Sequence, residues 1–270
     1  MIEETNIKQE LKKSPVLWQR LSNGIAIRDL QEEQFPVALH FLKEHYVPCD
    51  DFLAKIEVSR NPASVTSFLE RILYHLENNS SLIATHEVTG EIAGIIILRT
   101  IPKTDFARSF SRPSIFADDV FKRYAIVKSE LLRKVDIYEH FGCQIFLKLY
   151  FLCVAPNYRQ KGLGSDLILS ALDVAKSKNI PMFLGTVTDY KILNLLRKLG
   201  FQILYEIDYS DFQDDEGKYL IKYLEDTNYT MSIMFAVVPP FPKKPLPKKE
   251  EPPAKGKGKG KGKDKGKKKK

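Results

Sequence analysis

The sequence has little cysteine, and its three cysteines stand far apart. Cys49, Cys143 and Cys153 are odd in number and form no Cys-x-x-Cys pair, so neither a disulfide framework nor a zinc site is predicted. The five histidines have no metal-ligand spacing either. This composition favours a reducing intracellular compartment and a chain that binds no metal.

The sequence also lacks a long apolar run. Its richest stretch, residues 145–155, is interrupted by Lys148 and is shorter than the roughly 20 residues that a membrane-spanning helix needs. The acidic start, residues 1–5, lacks the hydrophobic segment of a secretory signal. We therefore expect a protein without a transmembrane segment in the cytoplasm, with the nucleus as an alternative because the chain ends in a basic tail.

Positive charge is concentrated in that tail. Residues 239–270 hold fourteen lysines against three acidic residues, a balance of +11, whereas the whole chain carries +8, so residues 1–238 carry −3. The tail has almost nothing apolar to bury, and ordering it would cost conformational entropy without compensation. We expect a disordered tail that contacts polyanions without sequence specificity, or one that only keeps the protein soluble.

Residues 25–238 are predicted to form one α/β domain, after an N-terminal extension over residues 1–24 and before the tail. Hydrophobic periodicity predicts strands at 25–30, 81–87, 92–100, 144–155, 181–187, 201–209 and 229–238. It predicts helices at 32–46, 64–79, 162–178 and 190–198, with one or two more within 115–139 after a polar loop at 108–113. The strand–helix–strand pattern of residues 144–187 requires parallel strands, so we expect a mixed central β-sheet flanked by helices.

A cationic loop with two glycines follows the predicted strand that ends at residue 155. After Arg159-Gln160-Lys161-Gly162-Leu163-Gly164 an amphipathic helix starts at once, so unpaired backbone N–H groups and the helix dipole favour an anion. The glycines allow close approach of a phosphate, and Arg159 and Lys161 add positive charge. No Gly-Lys-Ser/Thr follows, and the third glycine of a dinucleotide fingerprint is missing. The pattern suits a pyrophosphate, although such a loop can also simply end a strand.

The run from Val154 to Gly164 resembles the central motif of the GNAT superfamily of N-acetyltransferases. Lys198-Leu199-Gly200-Phe201 resembles the later helix-to-strand corner of that family. The resemblance covers about residues 25–238, and residues 41–46, 205–212 and 229–234 are similar to the insect arylalkylamine (dopamine) N-acetyltransferase branch. The resemblance implies the GNAT fold, acetyl-CoA as co-substrate and a small, aromatic amine as acceptor.

The same resemblance implies how acetyl-CoA binds. The pyrophosphate would lie on the backbone N–H groups of the loop, in a cofactor-binding set made of Arg159, Gln160, Lys161, Gly162, Leu163, Gly164 and Ser165. The pantetheine would extend along Leu152, Cys153 and Val154, where a backbone N–H would polarise the thioester carbonyl. An amine would attack directly, without a covalent enzyme intermediate, so the protein must supply proximity and a base.

The family's proton-handling residues are altered in this sequence. The arylalkylamine branch has a glutamate base in a stretch that corresponds here to residues 49–52, which places Asp50 at the glutamate's position as the candidate catalytic residue. The alternative interpretation makes Asp50 and Asp51 exposed turn residues. The family tyrosine that protonates the leaving thiolate corresponds to Leu196, which cannot donate a proton, and Asp189 stands where many members have asparagine.

Two functions of different classes therefore follow from the sequence. The first is a monomeric enzyme that transfers an acetyl group from acetyl-CoA to a small amine. The second is a non-catalytic acyl-CoA-binding or scaffold protein that has lost the base, and acetylation of proteins or histones is suggested only by the tail. Five tyrosines either line an aromatic acceptor pocket or pack in the core: Tyr205, Tyr209, Tyr219, Tyr223 and Tyr229.

Overall fold

The computed structural model of the chain describes residues 15–78, 80–105, 118–213, 216–221 and 229–239. The predicted polar loop at 108–113, most of the N-terminal extension and all of the tail after Pro239 lie outside these ranges.

A single mixed sheet forms the centre of the described part of the molecule. Its eight strands are β1 (Leu17–Arg20), β2 (Ile25–Asp29), β3 (Leu82–His86), β4 (Ile92–Pro102), β5 (Ile145–Val154), β6 (Met182–Val187), β7 (Gln202–Asp208) and β8 (Thr230–Val237). They lie in the order β1-β2-β3-β4-β5-β6-β8-β7. Only β5 and β6 pair in parallel among these strands, as the strand–helix–strand pattern predicted. The predicted mixed α/β sheet is thereby confirmed.

The first strand was not predicted from the sequence. β1 pairs antiparallel with β2 through Leu17↔Arg28 and Arg20↔Ala26, so the sheet begins before residue 25. β1 carries only four residues with no clear alternation of burial, and half of them are exposed. A short strand of this kind is held by pairing with its neighbour and leaves little trace in the hydrophobic pattern.

Helices cover both faces of the sheet. They are α1 (Phe35–His45), α2 (Asp51–Lys55), α3 (Pro62–Leu76), α4 (Asp119–Arg133), α5 (Ile137–Phe141), α6 (Leu163–Ser177) and α7 (Tyr190–Lys198). The first five contribute their buried residues to one hydrophobic cluster, together with Phe151 and Cys153 of β5. The last two bury theirs in a second cluster on the opposite face, which includes Leu149 of β5 and Phe183 of β6.

The described residues contain no helix that is both long and apolar enough to span a membrane. Within the same ranges, no group of three or more histidine, cysteine, aspartate or glutamate side chains is arranged to hold a metal ion. The described cysteines form no disulfide.

Candidate functional site

The glycine-bearing loop lies directly between β5 and α6. β5 ends at Val154, one 3-10 turn spans Pro156–Tyr158, and α6 begins at Leu163 with Gly162 as its N-cap. Gln160 and Gly162 have positive backbone φ angles of 59° and 85°. Glycine adopts this conformation without strain, so the turn that starts α6 requires Gly162 for its backbone rather than for space around it.

Backbone donors converge at this helix start. The N–H groups of Ser165 and Asp166 donate to the Gly162 carbonyl at 2.8 and 3.2 Å, which closes the first turn. Among the described residues, the N–H groups of residues 160–164 have no hydrogen-bond acceptor. Free donors combined with the positive end of a 15-residue helix form a site for an anion.

The two basic side chains of the loop are used differently from the sequence prediction. The Arg159 guanidinium donates from Nε to the Val154 carbonyl at 2.9 Å and from Nη2 to the His45 carbonyl at 3.4 Å. Lys161 Nζ donates to the Asn157 carbonyl at 2.9 Å. Both side chains are exposed and keep positive charge at the loop, but Arg159 also ties the loop to the ends of β5 and α1.

The second glycine of the loop has a packing role that the sequence analysis did not predict. A Cβ on Gly164 would lie 3.3 Å from Leu195 Cδ2, so a side chain there would crowd α7, whereas its distance of 3.8 Å from Leu152 Cδ2 of β5 is an ordinary contact. A Cβ on Gly162 would meet only Asp166 Oδ2, at 4.0 Å. The surface beside Gly162 therefore leaves room for an anion to approach the backbone, while Gly164 allows α6 to pack against α7.

Strands β5 and β6 diverge beside this loop. Their parallel ladder covers Leu147–Leu149 against residues 183–185 and then ends, whereas β5 continues to Val154 with its other edge paired to β4. The register between β4 and β5 shifts at Tyr150, which is a β-bulge. The predicted pantetheine residues Leu152, Cys153 and Val154 thus lie on a strand segment whose edge toward β6 is open.

Cys153 on that segment is a buried thiol. Burial raises its pKa to about 12, so it stays protonated near neutral pH and does not supply a nucleophilic thiolate. The sequence-based expectation that acyl transfer proceeds without a covalent enzyme intermediate is compatible with this environment.

Asp50 is buried close to the diverging strands. It is 9% exposed, and its Oδ1 accepts the Leu53 N–H at 2.7 Å as the N-cap of α2. The interpretation that Asp50 and Asp51 are both exposed turn residues is wrong for Asp50, whereas Asp51 is exposed. Burial raises the pKa of Asp50, opposed by hydrogen bonds from the Tyr46 hydroxyl and the Leu53 N–H and by the charge of Lys128.

Two residues next to Asp50 escaped the sequence analysis. Tyr46 packs edge-on against Phe151 of β5, with ring centroids 5.3 Å apart, and so places the Asp50 carboxylate near the bulged strand.

Lys128 is the second of these residues. Its Nζ lies 3.5 Å from the Thr186 carbonyl of β6, and burial lowers the pKa of Lys128 to about 8 although the charge of Asp50 opposes this change. The sequence did contain one indication of this role: Lys128 lies on the same helix face as Tyr124 and Leu131, and such a face normally packs in the core.

The residues after β6 complete this part of the site. Asp189 caps α7 by accepting the Lys191 N–H at 2.6 Å, and its charge adds to the rise in the pKa of Asp50. The Tyr209 hydroxyl donates to the Thr188 carbonyl at 2.9 Å. Leu196 is fully buried in the second cluster and packs toward Gly185, so no proton donor stands at that position.

A pocket of ≈ 70 Å³ opens beside the point where β5 and β6 separate. Its walls come from α3, α4, β5 and the Thr186 end of β6, and its tyrosines are Tyr124 and Tyr150. Four of the five tyrosines that the sequence suggested do not line it: Tyr209 is packed in the core, Tyr205 is half-buried, and Tyr219 and Tyr229 are exposed. The fifth, Tyr223, lies outside the described residues.

Known proteins share this architecture. The sequence matches the model of the Acetyltransferase (GNAT) family over residues 39–201, which is more than half of the chain. Arylalkylamine N-acetyltransferase 2 from Aedes aegypti is 20% identical, with a TM-score of 0.73 over 80% of this chain and 100% of that chain. Polyamine N-acetyltransferase from Drosophila melanogaster, which forms N-acetylagmatine, is 16% identical, with a TM-score of 0.70 over 79% of this chain and 99% of that chain.

A mosquito arylalkylamine N-acetyltransferase-like protein, 5b, is 18% identical, with a TM-score of 0.69 over 79% of this chain and 99% of that chain. A comparison of the sequence with curated proteins finds no match. At these identities, the structural similarity concerns the fold.

Proposed function

Because the chain belongs to the acetyltransferase (GNAT) family, we propose that it transfers an acetyl group from acetyl-CoA to the nitrogen of a small amine. Solved structures with the same fold include enzymes named for arylalkylamine and polyamine acetylation, which supports an amine as acceptor. In this proposal the loop binds the pyrophosphate of acetyl-CoA, the open strand edge binds its pantetheine, and Asp50 accepts a proton from the amine. Asp50 together with Tyr46 and Lys128 forms the Asp50 cluster.

The observation that carries the proposal is the continuity between a helix start with free N–H donors and an open strand edge. The donors at residues 160–164 suit the pyrophosphate, because they satisfy an anion without bringing a side chain into contact with it. The edge of residues 150–154 lies immediately before the loop, so one extended molecule can follow both. The amide groups of the pantetheine would form hydrogen bonds with this strand edge, as a neighbouring β-strand does.

The bulge at Tyr150 supports the placement of the reacting group. Bulges occur next to active sites because the extra residue re-aims backbone and side-chain groups. Here the extra residue stands where the ladder to β6 ends, so backbone donors of β5 face the gap between the strands. A donor in that gap would stabilise negative charge that develops on a thioester oxygen.

Asp50 is the base in this proposal. A buried carboxylate with a raised pKa accepts a proton more readily than an exposed one, and Tyr46 and Lys128 hold it in place and stabilise its charged form. Asp50 accepts one proton from the protonated amine, the neutral nitrogen bonds to the acetyl carbon, and the carbon–sulfur bond breaks. Since Leu196 has no proton to give, the second amine proton reaches the thiolate of CoA through water, and Asp50 returns its proton to the solvent.

Binding of acetyl-CoA is tested by isothermal titration calorimetry, and transfer is tested by thiol release over an amine panel. Gly162→Glu should abolish binding, because it places bulk and negative charge against the pyrophosphate. Gly142→Glu is the matched control: Gly142 also has a positive φ, of 60°, and a Cβ there would meet nothing within 4 Å. Tight binding by Gly162→Glu would place the co-substrate elsewhere.

The second candidate function is a non-catalytic acyl-CoA-binding protein. It is favoured by the buried Leu196 at the thiolate's donor position and by the structural role of Asp50 as a helix cap. Calorimetric binding of acetyl-CoA without thiol release for any amine between pH 7 and 9.5 would select this function.

A further inference from the structure

The pocket beside the β5–β6 gap contains a lysine that has no role in the proposed function. Lys148 lies on β5, two residues before the bulge at Tyr150, and its side chain lines the pocket. It is 8% exposed, and its Nζ lies 4.6 Å from the centroid of the Tyr150 ring. A primary amine therefore stands beside the strand gap in which the proposed function places the thioester.

The surroundings of Lys148 favour its neutral form. Burial is the main cause, and the charges of Lys128 and Arg71 add to it, so that the pKa of Lys148 falls to about 7. Asp50 acts on Lys128, whose charged form it favours, and no carboxylate within the described ranges forms an ion pair with Lys148. At pH 7.5 the neutral amine of Lys148 therefore predominates.

The other titratable side chains that line the pocket add no negative charge. Burial and neighbouring positive charges hold the pKa of His75 of α3 well below its usual range, so the imidazole is neutral. Burial raises the pKa of Tyr124 of α4, and it raises that of Tyr150 to about 12, so both phenols keep their protons. Asp105 lines an adjoining pocket, which shares Tyr150 with the first.

A neutral lysine amine in a desolvated setting is a nucleophile toward an acyl carbon. The two lysines of the pocket differ in this respect, because Lys128 donates from Nζ to the Thr186 carbonyl at 3.5 Å and has a higher pKa, of about 8. The pocket volume of ≈ 70 Å³ is several times the roughly 15 Å³ that one water requires, which leaves room for an acetyl group on Lys148 Nζ. Lys148 is therefore the better acceptor of the two.

We propose that Lys148 is itself an acetyl acceptor, and that acetyl-CoA bound at the loop and at the open edge of β5 acetylates its Nζ when no small amine occupies the pocket. This inference rests on the proposed function and adds a covalent modification of the protein. Nζ bonds to the acetyl carbon, the carbon–sulfur bond breaks, and one amine proton reaches the thiolate through water. The products are Nε-acetyl-lysine and CoA, so no further reactant is needed.

The test uses the full chain with acetyl-CoA at pH 7.5 and no added amine. Intact-mass spectrometry should show the gain of one acetyl group per chain, and peptide mapping should place it on Lys148. Acetylation there should be at least about tenfold faster than on any exposed lysine, because an ordinary lysine is almost entirely protonated at this pH. Between pH 6 and 9.5, the rate at Lys148 should level off above about pH 8, whereas the rate at exposed lysines keeps rising.

Three variants identify the source and the site of the acetyl group. Gly162→Glu, which lacks the pyrophosphate site of the proposed function, should lose the modification. Lys148→Met should lose it while calorimetry still shows binding of acetyl-CoA. Lys134→Met, at the exposed end of α4, should keep it. Peptide mapping of the parent chain decides the site without relying on the folding of any variant.

Four results would contradict these expectations. Equal acetylation of Lys148 and exposed lysines, or acetylation that persists in Gly162→Glu, would overturn the inference, because the donor would then be acetyl-CoA free in solution. Modification of Lys128 in place of Lys148 would overturn the choice of residue. Thiol release with an added amine but no acetylation of Lys148 would overturn the inference alone and leave the proposed function standing. Acetylation of Lys148 without transfer to any small amine would refute the proposed function and support the inference.

Discussion

At the scale of single residues, one substitution can separate the helix cap that Asp50 provides from the base that we propose it to be. Its carboxylate caps α2 through the Leu53 N–H, and it is buried near Tyr46 and Lys128. Asparagine is an equally good N-cap but cannot accept the proton of an amine. The helix cap and the base can therefore be tested independently.

Asp50→Asn should lower kcat at pH 7 about 100-fold, the lower range for loss of a general base, while the melting temperature stays close to that of the parent. The variant should recover as pH rises, about tenfold per pH unit below the pKa of the amine, because solvent then supplies the free amine. Thiol-release kinetics between pH 6.5 and 9.5 measure this. Asp51→Asn, an exposed neighbour, should match the parent, and an unchanged rate in Asp50→Asn would mean that another group is the base.

Lys148 should make folding stability depend on pH. Its pKa of about 7 in the folded protein is below the value of 10.5 for a free lysine, so the unfolded chain binds more protons between these values. Stability is therefore lost as pH falls from about 10 toward 7. Lys148→Met should raise the free energy of unfolding more at pH 7 than at pH 9.5, by ~3 kcal/mol at most.

Urea denaturation of the parent, Lys148→Met and the exposed control Lys134→Met at both pH values checks this. An equal effect of Lys148→Met at the two pH values would show that Lys148 keeps its ordinary pKa in the folded protein.

At the scale of elements, the loop after β5 is held by contacts with its neighbours. Arg159 donates hydrogen bonds to the last carbonyl of β5 and to the carbonyl of the last residue of α1, and Gly164 lets α6 pack closely against α7. The orientation of the free N–H donors thus depends on three packed elements as well as on the loop sequence.

Arg159→Lys should weaken acetyl-CoA binding almost as much as Arg159→Met, by about three- to tenfold. Lysine keeps the charge but cannot bridge two carbonyls as the planar guanidinium does. Calorimetry of both variants, with exposed Arg197→Met as the control, measures this. Full rescue by Arg159→Lys would mean that Arg159 acts on the pyrophosphate through its charge alone.

At the scale of the whole molecule, the two faces of the sheet carry different parts of the proposed site. The loop after β5 lies on the α6 face, whereas Asp50 and the pocket that Arg71, Lys128 and Lys148 line lie on the α3–α4 face. In the proposed function, the co-substrate and the acceptor approach one another from these two faces through the gap between β5 and β6.

Deletion of residues 239–270 should leave the melting temperature and acetyl-CoA affinity unchanged, because this segment follows the last strand and has no apolar periodicity. Its fourteen lysines should bind mixed-sequence DNA or anionic vesicles with an affinity that falls steeply as salt rises. Filter binding of the full and truncated chains over a salt series measures this. Polyanion binding that survived truncation would assign the contact to the mildly acidic body.

The sequence by itself predicted most of the elements and the glycine-bearing loop after β5, although it missed β1 and α2. Hydrophobic period and turn chemistry are local, so the helix at 190–198 and the strand–helix–strand unit followed from residues that are neighbours in the chain. The positive φ of Gly162 is likewise a local requirement. The family resemblance then rested on the same short segments.

Only the tertiary structure decided which of these residues share an environment. Asp50, Lys128 and Asp189 come from separate helices, and Lys148 meets Arg71 only because α3 packs over β5. Burial and the sign of nearby charge depend on contacts through space, which no period in the sequence encodes. For this reason the position of the loop after β5 could be predicted from the sequence, whereas the burial of Asp50 and the grouping of Arg71, Lys128 and Lys148 around one pocket could not.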